Sequence, residues 1–227
     1  MLRISNKKLA SYIDHTLLKK EAKEEDIEKL CKEAIEYGFK TVCLYPIHIP
    51  IAKKLLKGKK TIPIAVIDFP KGRSLILKKV KETEDAIKKG AMEIDMVIDY
   101  MALKNKDYKK VFNGIKAVVE TAKPKIVKVI LEISELTDNE KIIACALAKA
   151  AGAKFVKTST GFSKSGATIK DVKLMKEIVG KDVLVKASGG IRTKKDALEM
   201  INAGASRIGA SSSVKIVGGK DKYKKEY

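Results

Sequence analysis

The chain has 227 residues, of which 45% are hydrophobic, and it carries a formal net charge of +20. This length and apolar content suffice for one large domain with its own core. No apolar run reaches the roughly 18 residues of a membrane span, and the amino-terminal MLRISNKKLA lacks the apolar centre of a signal peptide. We therefore expect a cytoplasmic protein without membrane contacts.

The cysteines and histidines argue against disulfides and a metal centre. Cys31, Cys43 and Cys145 are an odd number at unrelated spacings, and His15 and His48 are the only histidines. This usage favours reduced, mostly buried thiols. We expect neither a metal nor another cofactor.

The positive charge does not by itself predict a nucleic-acid partner. Lysines fall on the polar side of nearly every predicted helix, there is no Trp, and no recognition signature occurs. The excess is therefore interpreted as a solvated surface, and no nucleic acid is expected as a partner. Such a surface would still attract a phosphorylated substrate.

The hydrophobic pattern predicts a short amino-terminal helix over residues 2–10 and then eight units of strand followed by helix. Thr137, Thr168 and Thr193 are predicted to cap the starts of three of the helices, Thr137 with Glu140 in a capping box. The predicted strands are YIDHTLL, TVCLYP, PIAVIDFPKG, AMEIDMVID, IVKVILE, FVKTST, VLVKAS and ASRIGAS. A last short helix is predicted over residues 211–217.

Eight uninterrupted strand and helix units predict an α/β fold, a single-domain (β/α)8 TIM barrel, better than an open doubly wound sheet. No G-x-G-x-x-G follows the first strand, which further disfavours a dinucleotide-binding fold. We expect the catalytic barrel to span residues 1–217. Residues 218–227, GGKDKYKKEY, are expected to form a flexible polar tail.

Several charged residues are predicted inside this barrel. By the period-two rule, Glu93, Asp95 and Asp99 share one face of the fourth strand, and Lys128 and Glu132 share one face of the fifth. Buried ions cost several kcal/mol each unless they are paired, so they are rarely kept for stability alone. Lys128 and Glu93 are predicted to form a structural pair deep in the barrel.

Asp95, Lys157 and Lys186 lie nearer the carboxyl ends of their strands, where such barrels build active sites. A lysine is a nucleophile only when neutral, and burial or a second ammonium disfavours its charged form. Lys157 is therefore predicted to attack a carbonyl and form a Schiff base, with Lys186 lowering its pKa. Asp95 is predicted to hold Lys186 and relay protons.

Glycines and serines follow the seventh and eighth strands, where barrels commonly bind phosphate through backbone N–H groups. The candidates from this pattern are Gly189, Gly190, Gly209, Ser211 and Ser212. The residues alone thus predict a Schiff-base lyase acting on a phosphorylated carbonyl compound.

The sequence resembles the deoxyribose-phosphate aldolases, a family of metal-independent Schiff-base aldolases with a barrel fold. KTSTGF together with K-x-x-GGIR is highly specific. The resemblance runs nearly end to end through IDHTLL, VCLYP, EIDMV, KVILE, KTSTGF, KASGGIRT and RIGASS.

The resemblance implies reversible cleavage of 2-deoxy-D-ribose 5-phosphate to D-glyceraldehyde 3-phosphate and acetaldehyde. It implies Lys157 as the Schiff-base lysine, Lys186 as the second active-site lysine and Asp95 as the proton relay. The implied phosphate contacts are Gly161, Gly189, Gly190, Gly209, Ser211 and Ser212. Asp68 departs from the usual glycine or asparagine, and SKSG at residues 163–166 replaces a more glycine-rich loop. Both departures leave rate and substrate preference open.

Two other functions stay open. A transaldolase-like barrel would keep Lys157 but form its enamine from a ketose donor, and a basic nucleic-acid-binding protein would need no reactive lysine. A homo-oligomer, dimer or tetramer, is expected because most soluble enzymes form one. Tyr227, the final residue, is a candidate proton carrier on the tail. His15 and Cys43 are assigned to packing or to the lining of the pocket.

Overall fold

Eight parallel strands close into a barrel in the computed structural model, which describes residues 4–219. Each strand pairs with the next along the chain, and the first pairs with the eighth. The strands are β1 (Ile13–Thr16), β2 (Thr41–Leu44), β3 (Ile62–Ile67), β4 (Glu93–Val97), β5 (Ile126–Ile130), β6 (Phe155–Lys157), β7 (Leu184–Ser188) and β8 (Arg207–Ala210). The predicted (β/α)8 barrel is confirmed.

Helices surround the barrel within the described part of the chain. They are α1 (Asn6–Ala10), α2 (Glu24–Tyr37), α3 (Ile49–Leu55), α4 (Ile76–Lys89), α5 (Tyr100–Lys104), α6 (Tyr108–Ala122), α7 (Asp138–Ala150), α8 (Ile169–Val179), α9 (Lys194–Asn202) and α10 (Ser213–Ile216). Thr137, Thr168 and Thr193 cap α7, α8 and α9 as predicted, and Thr137 forms the expected capping box with Glu140.

The main core lies between the barrel and its helices. Ile94, Met96 and Ile98 belong to it, whereas Glu93 and Asp95 are buried outside this cluster. Alternation along β4 therefore separates an apolar outer face from a charged inner face, as the period-two rule predicts. The three cysteines are buried free thiols.

Some predicted elements differ from the structure. The helix predicted over residues 2–10 is described from Asn6 onward, the helix predicted over 211–217 is Ser213–Ile216, and α5 was not predicted. Most strands are shorter than their predicted segments, and in all but the seventh the last predicted residues belong to the loop at the carboxyl end of the barrel.

Two charged residues predicted to face the barrel interior do not belong to its strands. Asp99 lies past the end of β4, where its carboxylate caps α5 through the N–H of Ala102 and pairs with Lys110 at 2.8 Å. Glu132 lies past the end of β5 in a left-handed conformation with φ 58°. The predictions for both were wrong because the period-two rule holds only while the strand continues.

The carboxyl end of the described chain stays packed. The N–H groups of Gly218 and Gly219 donate to the carbonyls of Lys215 and Val214, closing the turn after α10. The remainder of the predicted tail, including Tyr227, lies outside the described residues. Across residues 4–219, none of the helices has both the length and the apolar content needed to span a bilayer.

Candidate active site

Lys157 and Lys186 stand side by side at the centre of the candidate site. They are register partners on the neighbouring strands β6 and β7, and their exposed fractions are 3% and 0%. Both Nζ atoms donate to the same oxygen, Oδ2 of Asp95 on β4, at 2.9 Å and 2.7 Å. The structure thus brings together the three residues singled out in the sequence.

The ions inside the barrel form one connected network, which extends downward from Asp95. Oδ1 of Asp95 accepts from Lys128 at 2.9 Å, and Lys128 also pairs with Glu93 at 2.5 Å, which confirms the predicted deep pair. The network joins three carboxylates, Asp14, Glu93 and Asp95, to four basic groups, Lys128, Lys157, Lys186 and Arg207. Among these ion-paired groups of residues 4–219, the basic groups outnumber the carboxylates by one.

Lys157 is the basic group of this network with the fewest ion pairs. Its only ion-pair partner in the described structure is Asp95, whereas Lys186 contacts both Asp95 and Asp14. Burial lowers the pKa of Lys157 below its ordinary value; Asp95 opposes that shift and the Lys186 ammonium adds to it. Burial is thus the larger cause, and the neighbouring charge that the sequence suggested is a second one.

Lys186 and Asp95 are held in their charged forms. Burial disfavours the Lys186 ammonium, but Asp14 and then Asp95 outweigh burial and raise the pKa of Lys186 above its ordinary value. Burial likewise disfavours the Asp95 carboxylate, but Lys128, Lys157 and Lys186 together hold its pKa well below the usual range. The site therefore contains one lysine with a lowered pKa beside one with a raised pKa.

Asp14 and Arg207 complete the network and were not predicted from the sequence. Asp14 lies on β1, where its Oδ2 is 2.5 Å from Lys186 Nζ and its Oδ1 accepts from Arg207 at 2.8 Å and from Thr41 at 2.7 Å. Arg207 also reaches Glu93 at 3.2 Å. The signal available was the carboxylate of Asp14 in the predicted first strand, but its partner Arg207 lies near the other end of the chain.

Glu132 is a further buried carboxyl group beside the site. Its Oε2 accepts from both the N–H and the hydroxyl of Thr160, and the Thr160 hydroxyl oxygen in turn accepts from the N–H of Phe162 at 3.0 Å. Burial raises the pKa of Glu132 above its ordinary value, although the Thr160 bonds and Lys157 favour its charged form. Glu132 thus fixes the loop after β6, which carries Thr160 into the cavity.

A cavity of about 300 Å³ opens above Lys157 at the carboxyl end of the barrel. All the predicted phosphate-binding residues line it. They are Gly161, Gly189, Gly190, Gly209, Ser211 and Ser212. A side chain at position 209 would collide with Lys186, since a Cβ there would lie 2.9 Å from the Lys186 Cε. Glycine at 209 therefore leaves room for the second lysine.

The other side of the barrel mouth is apolar and aromatic. Cys43, Ile64 and Val66 form a small buried cluster against which Tyr45 and Phe69 pack. Phe69 also meets Phe162, a residue of the cavity wall, edge to face with 5.3 Å between ring centroids. Burial raises the pKa of Cys43 to about 11, so this thiol is a packing group in its neutral form.

Asp68, one of the two departures from the family pattern, has a structural role outside the cavity. It takes φ 51° after β3, and its carboxylate pairs with the buried Lys79 at 2.7 Å and accepts from the Ser74 hydroxyl at 2.7 Å. Lys79 also donates to the carbonyls of Gly72 and Val97. These contacts fix the loop that carries Phe69.

His15 lies in the IDHTLL motif next to Thr16, but it does not line the cavity as Thr16 does. Its ring nitrogen Nε2 is 2.7 Å from Glu33 of α2, and its ring packs on Phe39. This agrees with the packing role expected for His15. Among residues 4–219, no three His, Cys, Asp or Glu side chains are grouped so as to hold a metal ion.

The fold and the site define a class of protein, a (β/α)8-barrel enzyme with two buried lysines on neighbouring strands that share one carboxylate. Residues 8–221 match the model of the DeoC/LacD family aldolases. The chain belongs to this family of aldolases, which are lyases.

Named relatives cover nearly the whole chain. A deoxyribose-phosphate aldolase of Clostridium perfringens is 55% identical over 218 residues, which cover 96% of this chain and 97% of the relative. One from Dictyoglomus turgidum is 54% identical over 211 residues, 93% of this chain and 96% of the relative. The structure of a deoxyribose phosphate aldolase from Aeropyrum pernix, described as a unique tetramer, superposes with a TM-score of 0.88 at 34% identity, covering 94% of this chain and 91% of that one.

Proposed function

We propose that this protein is a Schiff-base aldolase that reversibly cleaves 2-deoxy-D-ribose 5-phosphate to D-glyceraldehyde 3-phosphate and acetaldehyde. The observation that carries the proposal is the placement of Lys157, a buried lysine with a lowered pKa, in the same cavity as the glycine and serine loops. The identity of the sugar is inferred from the names of the relatives. The reaction serves the breakdown of deoxyribose.

Catalysis begins with the neutral amine of Lys157. Its lone pair attacks the aldehyde carbon C1 of the open-chain sugar to give a carbinolamine. We assign to the neighbouring Lys186 ammonium the proton that the carbinolamine hydroxyl takes up as it leaves as water, which gives a protonated imine and a neutral Lys186. An ordinary lysine with a pKa near ~10.4 would be almost wholly protonated at neutral pH and unable to attack. Burial, with the neighbouring Lys186 charge as a second cause, lowers the pKa of Lys157 and so favours the neutral nucleophile.

The bond between C2 and C3 then breaks. The proton of the C3 hydroxyl leaves, the C3 oxygen becomes the aldehyde of glyceraldehyde 3-phosphate, and the bonding electrons form an enamine with the imine nitrogen as their sink. We assign the proton to the pair of Lys186 and Asp95, directly or through water. The positive imine beside Lys186 disfavours a second charge there, so Lys186 becomes easier to deprotonate once the imine has formed.

The remaining two-carbon unit is released by the reverse chemistry. The enamine takes a proton at C2, and water hydrolyses the imine to acetaldehyde and free Lys157. The apolar cluster of Cys43, Ile64 and Val66 on one side of the site offers a surface for the methyl group of this fragment. The polar loops on the other side suit the three-carbon phosphate.

We assign the substrate phosphate to Gly161, Gly189, Gly190, Gly209, Ser211 and Ser212. Phosphate binding at the loops after the seventh and eighth strands is common in this fold. The Lys186 ammonium provides positive charge below the loops, while the loop residues supply backbone N–H and hydroxyl donors. A cavity with both features favours a phosphorylated carbonyl compound.

Product analysis tests the substrate and separates it from the transaldolase-like alternative. Incubation with 2-deoxyribose 5-phosphate should release acetaldehyde and glyceraldehyde 3-phosphate in equal amounts. In the reverse direction, acetaldehyde should serve as the donor and dihydroxyacetone phosphate should not. Release of neither product would refute the proposed substrate, and use of a ketose donor would favour the alternative.

We further propose a homo-oligomer, a dimer or tetramer, in line with the tetrameric description of the Aeropyrum pernix relative. A cytoplasmic location suits an enzyme with three buried free thiols. Analytical ultracentrifugation would test the oligomeric state.

A further inference from the structure

The loop between β6 and α8 lies in direct backbone contact with the loop after β7. A Cβ added at Gly166 would lie 2.0 Å from the carbonyl oxygen of Gly189, 2.2 Å from its carbonyl carbon and 2.8 Å from its Cα. Real Cβ atoms do not approach other heavy atoms to within 3.0 Å. Gly166 is therefore a glycine because no side chain fits between the two loops.

A side chain at position 166 is excluded by the close contact with Gly189 and not by the backbone conformation. The φ of Gly166 lies outside the left-handed region that favours glycine, whereas Gly189 and Gly190 take φ 87° and 75°. An alanine at 166 would thus not be strained by a left-handed backbone. Any effect of that substitution must come from pushing the loops apart.

Next to this contact, a hydrogen bond fixes the orientation of the Gly189 carbonyl. The N–H of Ala167 donates to the carbonyls of Ser188 and Gly189 at 3.2 Å and 3.1 Å. The peptide unit between Gly189 and Gly190 is planar, so the N–H of Gly190 points opposite to the Gly189 carbonyl. Turning the carbonyl toward Ala167 therefore turns the Gly190 N–H away from Ala167.

We propose that Gly166 is a positioning residue for the substrate phosphate, which it serves by seating the β6–α8 loop against Gly189 so that the Gly190 N–H faces the anion. This inference rests on the proposed function, because it takes the phosphate to lie in the cavity that Gly189 and Gly190 line. The Ser163–Gly166 segment is one of the two departures from the family pattern, and the proposal assigns it a role in positioning Gly189 and Gly190.

The substitution Gly166→Ala tests the proposal. A contact of 2.0 Å must open by more than about 1 Å to become an ordinary van der Waals contact, and misplacements of ~1 Å in a positioned group can cost on the order of 100-fold. We expect KM for 2-deoxyribose 5-phosphate to rise at least about tenfold. Turnover of unphosphorylated deoxyribose and borohydride trapping of acetaldehyde at Lys157 should stay at the parent's level.

Gly114→Ala is the matched control. Gly114 also has a φ outside the left-handed region, and a Cβ there would meet nothing within 4 Å. It should leave both substrates unaffected. Inorganic phosphate gives a readout without turnover, since the rise in Tm that it causes in the parent protein should be lost in Gly166→Ala and kept in Gly114→Ala.

The outcomes separate this inference from the proposed function. Suppose that the parent protein prefers the phosphorylated sugar and that Gly166→Ala keeps both this preference and the phosphate-induced rise in Tm. That result would overturn the role of Gly166 and leave the proposed function standing. Equal losses on both substrates, with the rise in Tm retained, would also overturn the role of Gly166. A parent without any preference for the phosphorylated sugar would overturn both.

Discussion

Replacing Lys186 with leucine removes one of the four basic groups and leaves three facing the three carboxylates of the barrel network. The Lys157 ammonium is then needed to balance Asp95 and no longer faces a neighbouring charge. The pKa of Lys157 should therefore rise, and Schiff-base formation should require a higher pH.

The structure sets the size of this effect. The Nζ atoms of Lys157 and Lys186 lie 2.9 Å and 2.7 Å from the same oxygen, Asp95 Oδ2. The distance between the two Nζ atoms is therefore at most about 5.6 Å, the sum of these two distances. At an effective dielectric constant of ~20, two positive charges at that distance repel by about 3 kcal/mol. Losing this repulsion should reduce the neutral fraction of Lys157 at pH 7 by about 100-fold, since each ~1.4 kcal/mol is tenfold.

The assay is the rate of acetaldehyde trapping at Lys157 by borohydride as a function of pH. The Lys186→Leu profile should shift to higher pH and recover the parent's trapping rate at its alkaline end. Lys186→Arg keeps the charge and should not shift the profile upward. A profile for Lys186→Leu that coincides with the parent's would refute the argument from charge balance.

Two further substitutions test the assignments around Lys157. Asp95→Asn should lower kcat by about 10²- to 10⁴-fold with a smaller change in KM, as expected for a proton relay, and an effect on KM alone would make Asp95 a binding residue. The same change leaves buried lysines without their carboxylate, so a loss of about 3–5 kcal/mol in the free energy of unfolding should accompany it in thermal or denaturant unfolding. Ser211→Asp places a carboxylate beside the proposed phosphate and should raise KM for 2-deoxyribose 5-phosphate at least about tenfold while sparing deoxyribose; equal losses on both would place the phosphate elsewhere.

The architecture and the central residues could be predicted because they depend on local patterns. Alternation within β4 placed Asp95 inside the barrel, and Lys157 and Lys186 occupy equivalent positions in successive strands that pair side by side. The N-caps at Thr137, Thr168 and Thr193 follow from hydrogen bonds spanning three residues. Each of these features needs only the sequence near it.

Asp14 and Arg207 could not be predicted in the same way, because their contact depends on closure of the barrel. They are 193 residues apart, and only the pairing of β1 with β8 brings them together. An open sheet with the same strands would leave Asp14 and Arg207 at opposite edges. The complete set of ion pairs around Lys186 and Asp95 is therefore a property of the closed barrel.

The roles of residues just past the strand ends could not be predicted from the period-two pattern either. Asp99 and Glu132 continue the alternation on paper, but the chain turns at both positions, so one carboxylate caps a helix and the other binds Thr160. Gly166 gives no local signal at all. Its contact with Gly189 exists only because two loops from neighbouring units cross.

The assignment of Lys157 as the nucleophile is tested most directly by finding which lysine forms the Schiff base. Treatment of the protein with acetaldehyde and borohydride, followed by peptide mapping, should give one adduct of a two-carbon unit on Lys157 at neutral pH. An adduct on Lys186 would contradict the assignment of the neutral and charged lysines, and the absence of any adduct would contradict Schiff-base chemistry itself.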